Sequence, residues 1–301
     1  MQAMSFSVDD VTDWAPSGLE QRGATEHLWL ADPRDGEPWL WKPASGRRLE
    51  RREHWAEKVA GEVALLLGLP CARIELAVRK GEAGCLSRNV LESGRELYPG
   101  AYLLADLDPS FDPRVKGHPA YTVENVAQVL RAVQAPPNAV PEGMSGFDLF
   151  TGYLVFDALV LNRDRHAANW AVLRRRDGSE PDRLCPLYDN ASSLGMAQAA
   201  STMARRLESR GVAAYVTREG AARPFARPRG VLPTLFDVAG QALALCSPAA
   251  KAHWLAKAQS LQESDVRALV DEVPGMSEVV RTFTVEVVAS ARGRIVHAGP
   301  T

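Results

Sequence analysis

Paired cysteines, surplus basic charge and long apolar runs are all missing from this chain of 301 residues. Its four cysteines, Cys71, Cys85, Cys185 and Cys246, stand far apart. No two have the CxxC spacing of a zinc site, and a chain this long needs no disulfide scaffold. Each lies in an apolar or strand-like stretch, so reduced core thiols are expected. A net charge of -2 argues against a generally basic nucleic-acid binder. The longest apolar stretch, Tyr153 to Leu161, is interrupted by Asp157 and is too short to cross a bilayer. The opening MQAMSFSVDDVTDW lacks the basic start and apolar run of a secretion signal. These absences point to a cytoplasmic chain with no membrane partner. What remains is an ordinary globular composition, 46% hydrophobic and 24% charged.

Hydrophobic patterning divides the chain unevenly. Residues 1–18 are polar and read as a loose arm. Residues 19–92 read as a small β-rich lobe with one helix. Its strands are predicted at Glu26–Leu30, Pro38–Lys42, Arg73–Val78 and Gly84–Val90. The helix is predicted from Leu49 to Leu67, with Trp55, Val59, Val63 and Leu66 as its apolar stripe and Gly68 and Pro70 as its stop. Residues 93–119, with Gly, Pro and three Asp-containing turns, read as a hinge. Residues 120–301 read as a larger helical lobe, with Thr122, Ser145, Ser247, Ser264 and Ser277 as helix N-caps. The run from Gly146 to Leu161 is apolar on several faces and predicts a central buried helix. Two short strands, Trp170–Arg174 and Arg183–Leu187, should follow it. Thr217–Leu232, with several Pro and Arg, reads as a surface loop.

The chemistry concentrates where that buried helix ends. Leu161-Asn-Arg-Asp-Arg-His-Ala-Ala-Asn-Trp170 places a dense polar cluster against an apolar helix, which cores tolerate only when the cluster is paired or functional. Downstream, the strand Cys185-Pro-Leu-Tyr ends in Asp189. Phosphoryl transfer needs a carboxylate to meet the attacking hydroxyl and oxygen ligands to hold Mg²⁺ against phosphates. Asp164 would be the base, and Asn169 and Asp189 the metal ligands. Taken singly, Asp-Arg-His could be a surface loop and Tyr-Asp-Asn an ordinary turn. Their order and setting favour the functional reading.

NRDRHAANW followed by LYDNASSLG resembles the catalytic and metal-binding segments of HipA-like kinases. The DRHxxN spacing is also similar to that of phosphoinositide-3-kinase-like and Fam20-type kinases. WLWKPASG resembles the strand that bears the nucleotide-contacting lysine, and HWAEKVAGEVALLLGLP the helix that bears its glutamate partner. The resemblance spans roughly residues 20 to 295 and implies a two-lobed α+β protein-kinase-like fold using ATP and Mg²⁺. It assigns Lys42 to the α/β-phosphates and Glu57 to Lys42. Glu62 competes with Glu57, about 140° away around the helix, but stands four residues after Lys58 and could pair with it. Gly23, Ala24 and Thr25, in the short loop QRGATEH, would cradle phosphate oxygens.

Some assignments stay open between two roles. His166 either orients the catalytic loop or touches the γ-phosphate, as the lipid-kinase resemblance implies, or makes a structural hydrogen bond. Asp157 reads as structural, paired with Arg163 or Arg165. The arginines of 218–229 either recruit an acidic substrate or nucleic acid or are simply solvated. The expected acceptor is a Ser or Thr hydroxyl on a protein; a lipid or small-molecule alcohol, or a nucleotide-binding regulator, are the alternatives. The N-terminal extension of toxin-type HipA proteins is not seen, which counts against an antitoxin partner.

Overall fold

A computed structural model describes residues 5–20, 27–44, 52–137 and 139–297. Alternation of side chains across a strand organises its first part. The strands are β1 (Val8–Asp10), β2 (Pro16–Glu20), β3 (His27–Ala31), β4 (Pro38–Pro43), β5 (Ile74–Arg79) and β6 (Glu82–Arg88). They form one six-stranded sheet in the order β1-β5-β6-β4-β3-β2. All neighbours are antiparallel except β1 and β5, which run parallel. In β4, Trp39 and Trp41 lie in one apolar cluster with Val11, Leu30, Ala77 and Leu86. The period of two therefore turns Leu40 and Lys42 to the opposite face, where helix α1 (Glu53–Leu66) packs over β5 and β6.

Lys42 pairs directly with Cys85 across the β4–β6 ladder, and Gly84 pairs with Pro43. A side chain at Gly84 would run into the Lys42 carbonyl oxygen and lie 2.5 Å from the Trp41 ring. Gly84 is thus what lets the two strands seat Lys42 at this depth.

A second, three-stranded antiparallel sheet has the order β7 (Arg95–Pro99), β8 (Ala171–Arg175), β9 (Arg183–Leu184). The helices after α1 are α2 (Gly100–Leu107), α3 (Val123–Val129), α4 (Gly146–Val160), α5 (Ala200–Glu208), α6 (Val212–Glu219), α7 (Leu235–Leu245), α8 (Pro248–Ser260), α9 (Glu263–Asp271) and α10 (Glu278–His297). Every residue of α4 is buried, as an all-round apolar helix requires. A capping box of Ser145 and Asp148 starts it, and α7, α8 and α10 surround it. Asp148 also accepts from the Ser247 N–H through its side chain (2.8 Å) and from Trp254 Nε1 through its carbonyl (2.8 Å), tying α8 to the start of α4.

Five local expectations are corrected. The described part of the arm, 5–18, is not loose: β1 pairs with β5, Val11 is fully buried and the Phe6 N–H bonds to the Glu272 carbonyl at 3.0 Å. An edge strand needs only backbone pairing, so its polar sequence concealed it. Within the expected hinge, 93–119, β7 and α2 are regular structure, because β8 offers β7 a ladder. The described helix α1 begins at Glu53, and Leu66 at its end is exposed. Ser264 lies inside α9, whose capping box is Gln262 with Asp265. The start of the expected loop 217–232 belongs to α6, and Ala222 and Phe225 beyond it are buried.

Gly84→Ala should destabilise the chain by about 1–3 kcal/mol, the usual cost of overpacking, measured by urea denaturation. An unchanged midpoint would mean that β4 and β6 do not meet as described.

Candidate active site

The site is assembled where α4 stops. Leu161 caps the helix in the left-handed region, φ 53°, at a cost on the order of 1 kcal/mol for a residue with a Cβ. That turn brings the Asn162 N–H onto the Asp157 carbonyl (2.8 Å) and Asn162 Nδ2 onto Asp157 Oδ1 (2.8 Å). Asp157 is thereby fixed at the helix end, fully buried, and needs a cation.

Arg165 is that cation. Its Nε and Nη2 bond the two oxygens of Asp157 at 2.9 and 2.8 Å, a fork on a carboxylate with both side chains 1% exposed. The remaining protons of the guanidinium hold two loops together. Nη1 donates to the carbonyls of Asn169 (2.8 Å) and Tyr188 (3.2 Å), and Nη2 to Asn190 Oδ1 (2.7 Å). Burial opposes the charge on Arg165, but the Asp157 carboxylate outweighs it and raises the guanidinium pKa. Arg163, the other partner considered for Asp157, instead meets Glu219 at 2.7 Å.

One guanidinium nitrogen thus touches the backbone of both Asn169 and Tyr188, the residue before Asp189. The Tyr188 hydroxyl adds a bond to the Ala168 carbonyl (3.0 Å). Within the 164–169 loop, the His166 N–H and Asn169 Nδ2 both donate to the Asp164 carbonyl, at 2.7 and 2.9 Å. The Asn169 amide spends its donor end on the loop, so its oxygen is the atom that could hold a metal. His166 Nδ1 accepts from the Ala168 N–H (3.2 Å), and its Nε2 lies 3.9 Å from Asp164 Oδ2. The Asp164 side chain is 38% exposed, open to an incoming group.

From the sheet, Lys42 reaches across to this loop cluster. Its Nζ lies 2.8 Å from Asp189 Oδ1 and 3.7 Å from Glu57 Oε2, and the side chain is 12% exposed. The strand-lysine alternative, facing solvent, is excluded. Glu57 is fully buried, and its other oxygen accepts the Asn190 N–H at 3.0 Å. Glu62 pairs with Lys58 at 2.7 Å instead. Burial pulls the Lys42 ammonium down, but Asp189 and Glu57 outweigh it and hold its pKa above the ordinary lysine value. Burial raises the Glu57 pKa, Lys42 draws it back, and Asp189 adds to the rise.

The donor set suits a hard cation that keeps its own waters. Among the described residues, no group of three His, Cys, Asp or Glu side chains could hold a metal. One carboxylate and one amide oxygen, Asp189 and Asn169, fit Mg²⁺, which is commonly held by one or two protein ligands plus phosphate and water. Asp189 itself has left-handed backbone, φ 58°, a strained conformation of the kind that marks functional positions. Gly23, Ala24 and Thr25 lie outside the described residues. Sequence reasoning missed Tyr121, whose hydroxyl donates to the Arg165 carbonyl (2.7 Å) and accepts from Trp170 Nε1 (3.0 Å). No local spacing points to it, since its ring stacks on Phe225 from a segment expected to be loop.

The model of the HipA-like C-terminal domain matches residues 18–278. The chain belongs to that family. Its fold is similar to that of a solved Helicobacter pylori proinflammatory kinase, CtkA, with a TM-score of 0.76 at 16% identity, covering 97% of this chain and 96% of that one. HipA of Shewanella oneidensis MR-1, solved with HipB and operator DNA, matches at a TM-score of 0.50 and 12% identity, over 97% of this chain and 65% of that one. No curated protein matches the sequence. The two-lobed α+β kinase-like fold and the HipA-like resemblance expected from the sequence both hold.

Replacing Arg165 with Met should cost about 3–5 kcal/mol by leaving Asp157 charged, buried and unpaired. Replacing Asp157 with Leu as well should restore much of it. Urea denaturation measures both, and a loss under 1 kcal/mol for the single variant would contradict the account.

Proposed function

We propose that this chain is an ATP- and Mg²⁺-dependent kinase that phosphorylates a Ser or Thr hydroxyl on a protein. The carrying observation is Lys42 held between Asp189 and Glu57, at 2.8 and 3.7 Å, beside the Asp164–Asn169 loop. ATP would supply the phosphoryl group and Mg²⁺ would offset its negative charge. Lys42 would bind the α/β-phosphates, with Glu57 holding its ammonium in place. Asn169 and Asp189 would hold the metal. Asp164 would orient the acceptor hydroxyl and take its proton on a carboxylate oxygen as the new oxygen–phosphorus bond forms and the bond from the γ-phosphorus to its bridging oxygen breaks, releasing ADP. His166, with Nδ1 committed to the Ala168 N–H, would stiffen the loop around Asp164. Gly23, Ala24 and Thr25 would contact the phosphates through their backbone N–H groups.

Family membership and fold support this reading, as does the donor chemistry of the site. A reducing, cytoplasmic setting is supported by four free cysteine thiols. No helix among the described residues is long and apolar enough to cross a membrane.

Asp164 holds the loop by its backbone carbonyl, so Asp164→Ala should keep the fold and nucleotide binding. Transfer from γ-labelled ATP should fall by at least ~10²-fold, the scale of general-base loss. Asp189→Asn should remove the Mg²⁺-dependent part of the thermal stabilisation by ATP. Near-full activity of the Asp164 variant would end its assignment as base.

A further inference from the structure

Charge is distributed unevenly over this molecule. Between Ala199 and Gly230 the sequence carries seven arginines against two glutamates, with no lysine or aspartate, although the whole chain has a net charge of -2. Six of them, Arg205, Arg210, Arg218, Arg223, Arg227 and Arg229, are exposed. The seventh, Arg206, lies over the Tyr215 ring, 4.8 Å from its centroid, and donates to Gln198 Oε1. Elsewhere, exposed arginines such as Arg34, Arg114 and Arg176 each meet a carboxylate. Here, among the described residues, only Arg218 does, and its partner Glu219 is shared with Arg163. Among the described residues the excess positive charge is therefore largely without carboxylate partners.

Its position matters as much as its sign. The Arg163–Glu219 pair joins the end of α6 to the residue beside Asp164, and the Arg163 N–H points to the Ser192 carbonyl at 3.4 Å. The loop after α6 is held against the catalytic loop's support: the Ala226 N–H bonds the Tyr121 carbonyl at 2.9 Å, and Phe225 stacks on the Tyr121 ring. The end of α6 and the loop after it are thus tied to the two supports of the Asp164 loop, Arg163 and Tyr121.

We infer that α5, α6 and the following loop dock an acidic segment of the acceptor protein, its Asp and Glu side chains meeting these arginines while its hydroxyl faces Asp164. This rests on the kinase reading and adds the acceptor's chemistry to it. Arginine's planar fork matches carboxylate oxygens in pairs. A nucleic acid is the poorer occupant, since the chain as a whole carries a net charge of -2.

The test uses the intact chain and fluorescence anisotropy, which needs no turnover. The probes are a labelled serine peptide flanked by glutamates, the same peptide flanked by lysines, and a labelled thymidine oligonucleotide. The glutamate peptide should bind at least ~10-fold tighter than the lysine peptide and weaken with salt. The double variant Arg223→Glu/Arg229→Glu should cut that binding by about 10-fold, and so should Arg205→Glu/Arg210→Glu. Arg176→Glu, the same change away from this surface, should leave it unaltered. All three variants should keep the ATP and Mg²⁺ thermal shift. Equal binding of the two peptides, indifference to both double variants, or tighter binding of the oligonucleotide would each overturn the proposal. Absence of any ATP response in the unaltered chain would end the kinase reading, and the acceptor role with it, independently of the anisotropy result.

Discussion

The buried pair of Asp157 and Arg165 is the constraint on which the rest of the site depends. Removing both charges from water is expensive, and their mutual attraction repays it only when every remaining proton finds an acceptor. The carbonyls of Asn169 and Tyr188 and the side chain of Asn190 meet that condition. The same bonds that satisfy the guanidinium fix the 164–169 loop against the segment carrying Asp189. A buried ion pair is weak evidence for stability, but here it sets the registry of two loops distant in sequence.

Around that fixed point the site is balanced between charges of opposite sign. Lys42 lies between the carboxylates of Asp189 and Glu57, and burial makes each charge dependent on the others. Asp189 is the more open of the two, with its side chain 44% exposed, while Glu57 is sealed beneath α1. Glu57 thus meets the lysine from the buried side and Asp189 from the open side. The sheet sets this depth through Gly84, and α4 sets the loop through the turn at Leu161.

Much of this was legible in the sequence, for physical reasons that can be named. The polar cluster after an apolar helix was conspicuous because cores exclude unpaired charge, and Asp157 in mid-helix announced a buried cation. Alternation placed Lys42 opposite Trp39 and Trp41 but could not say which face was covered. Helical spacing separated Glu57 from Glu62, and the Lys58–Glu62 pair appears as expected. Edge strand β1 was hidden because parallel backbone pairing leaves little side-chain pattern. Tyr121 was hidden because its role is set by contacts with Arg165, Trp170 and Phe225, all far along the chain. The choice between Arg163 and Arg165 needed three dimensions, since both stand near Asp157 in sequence.

The most direct measurement is a crystal structure of the chain with Mg²⁺ and a non-hydrolysable ATP analogue. The account predicts Mg²⁺ at roughly 2.0–2.1 Å from oxygens of both Asn169 and Asp189, with Lys42 on the α/β-phosphates and the Asp157–Arg165 fork intact. A metal bound without Asn169 or Asp189, or a nucleotide seated away from Lys42, would contradict it.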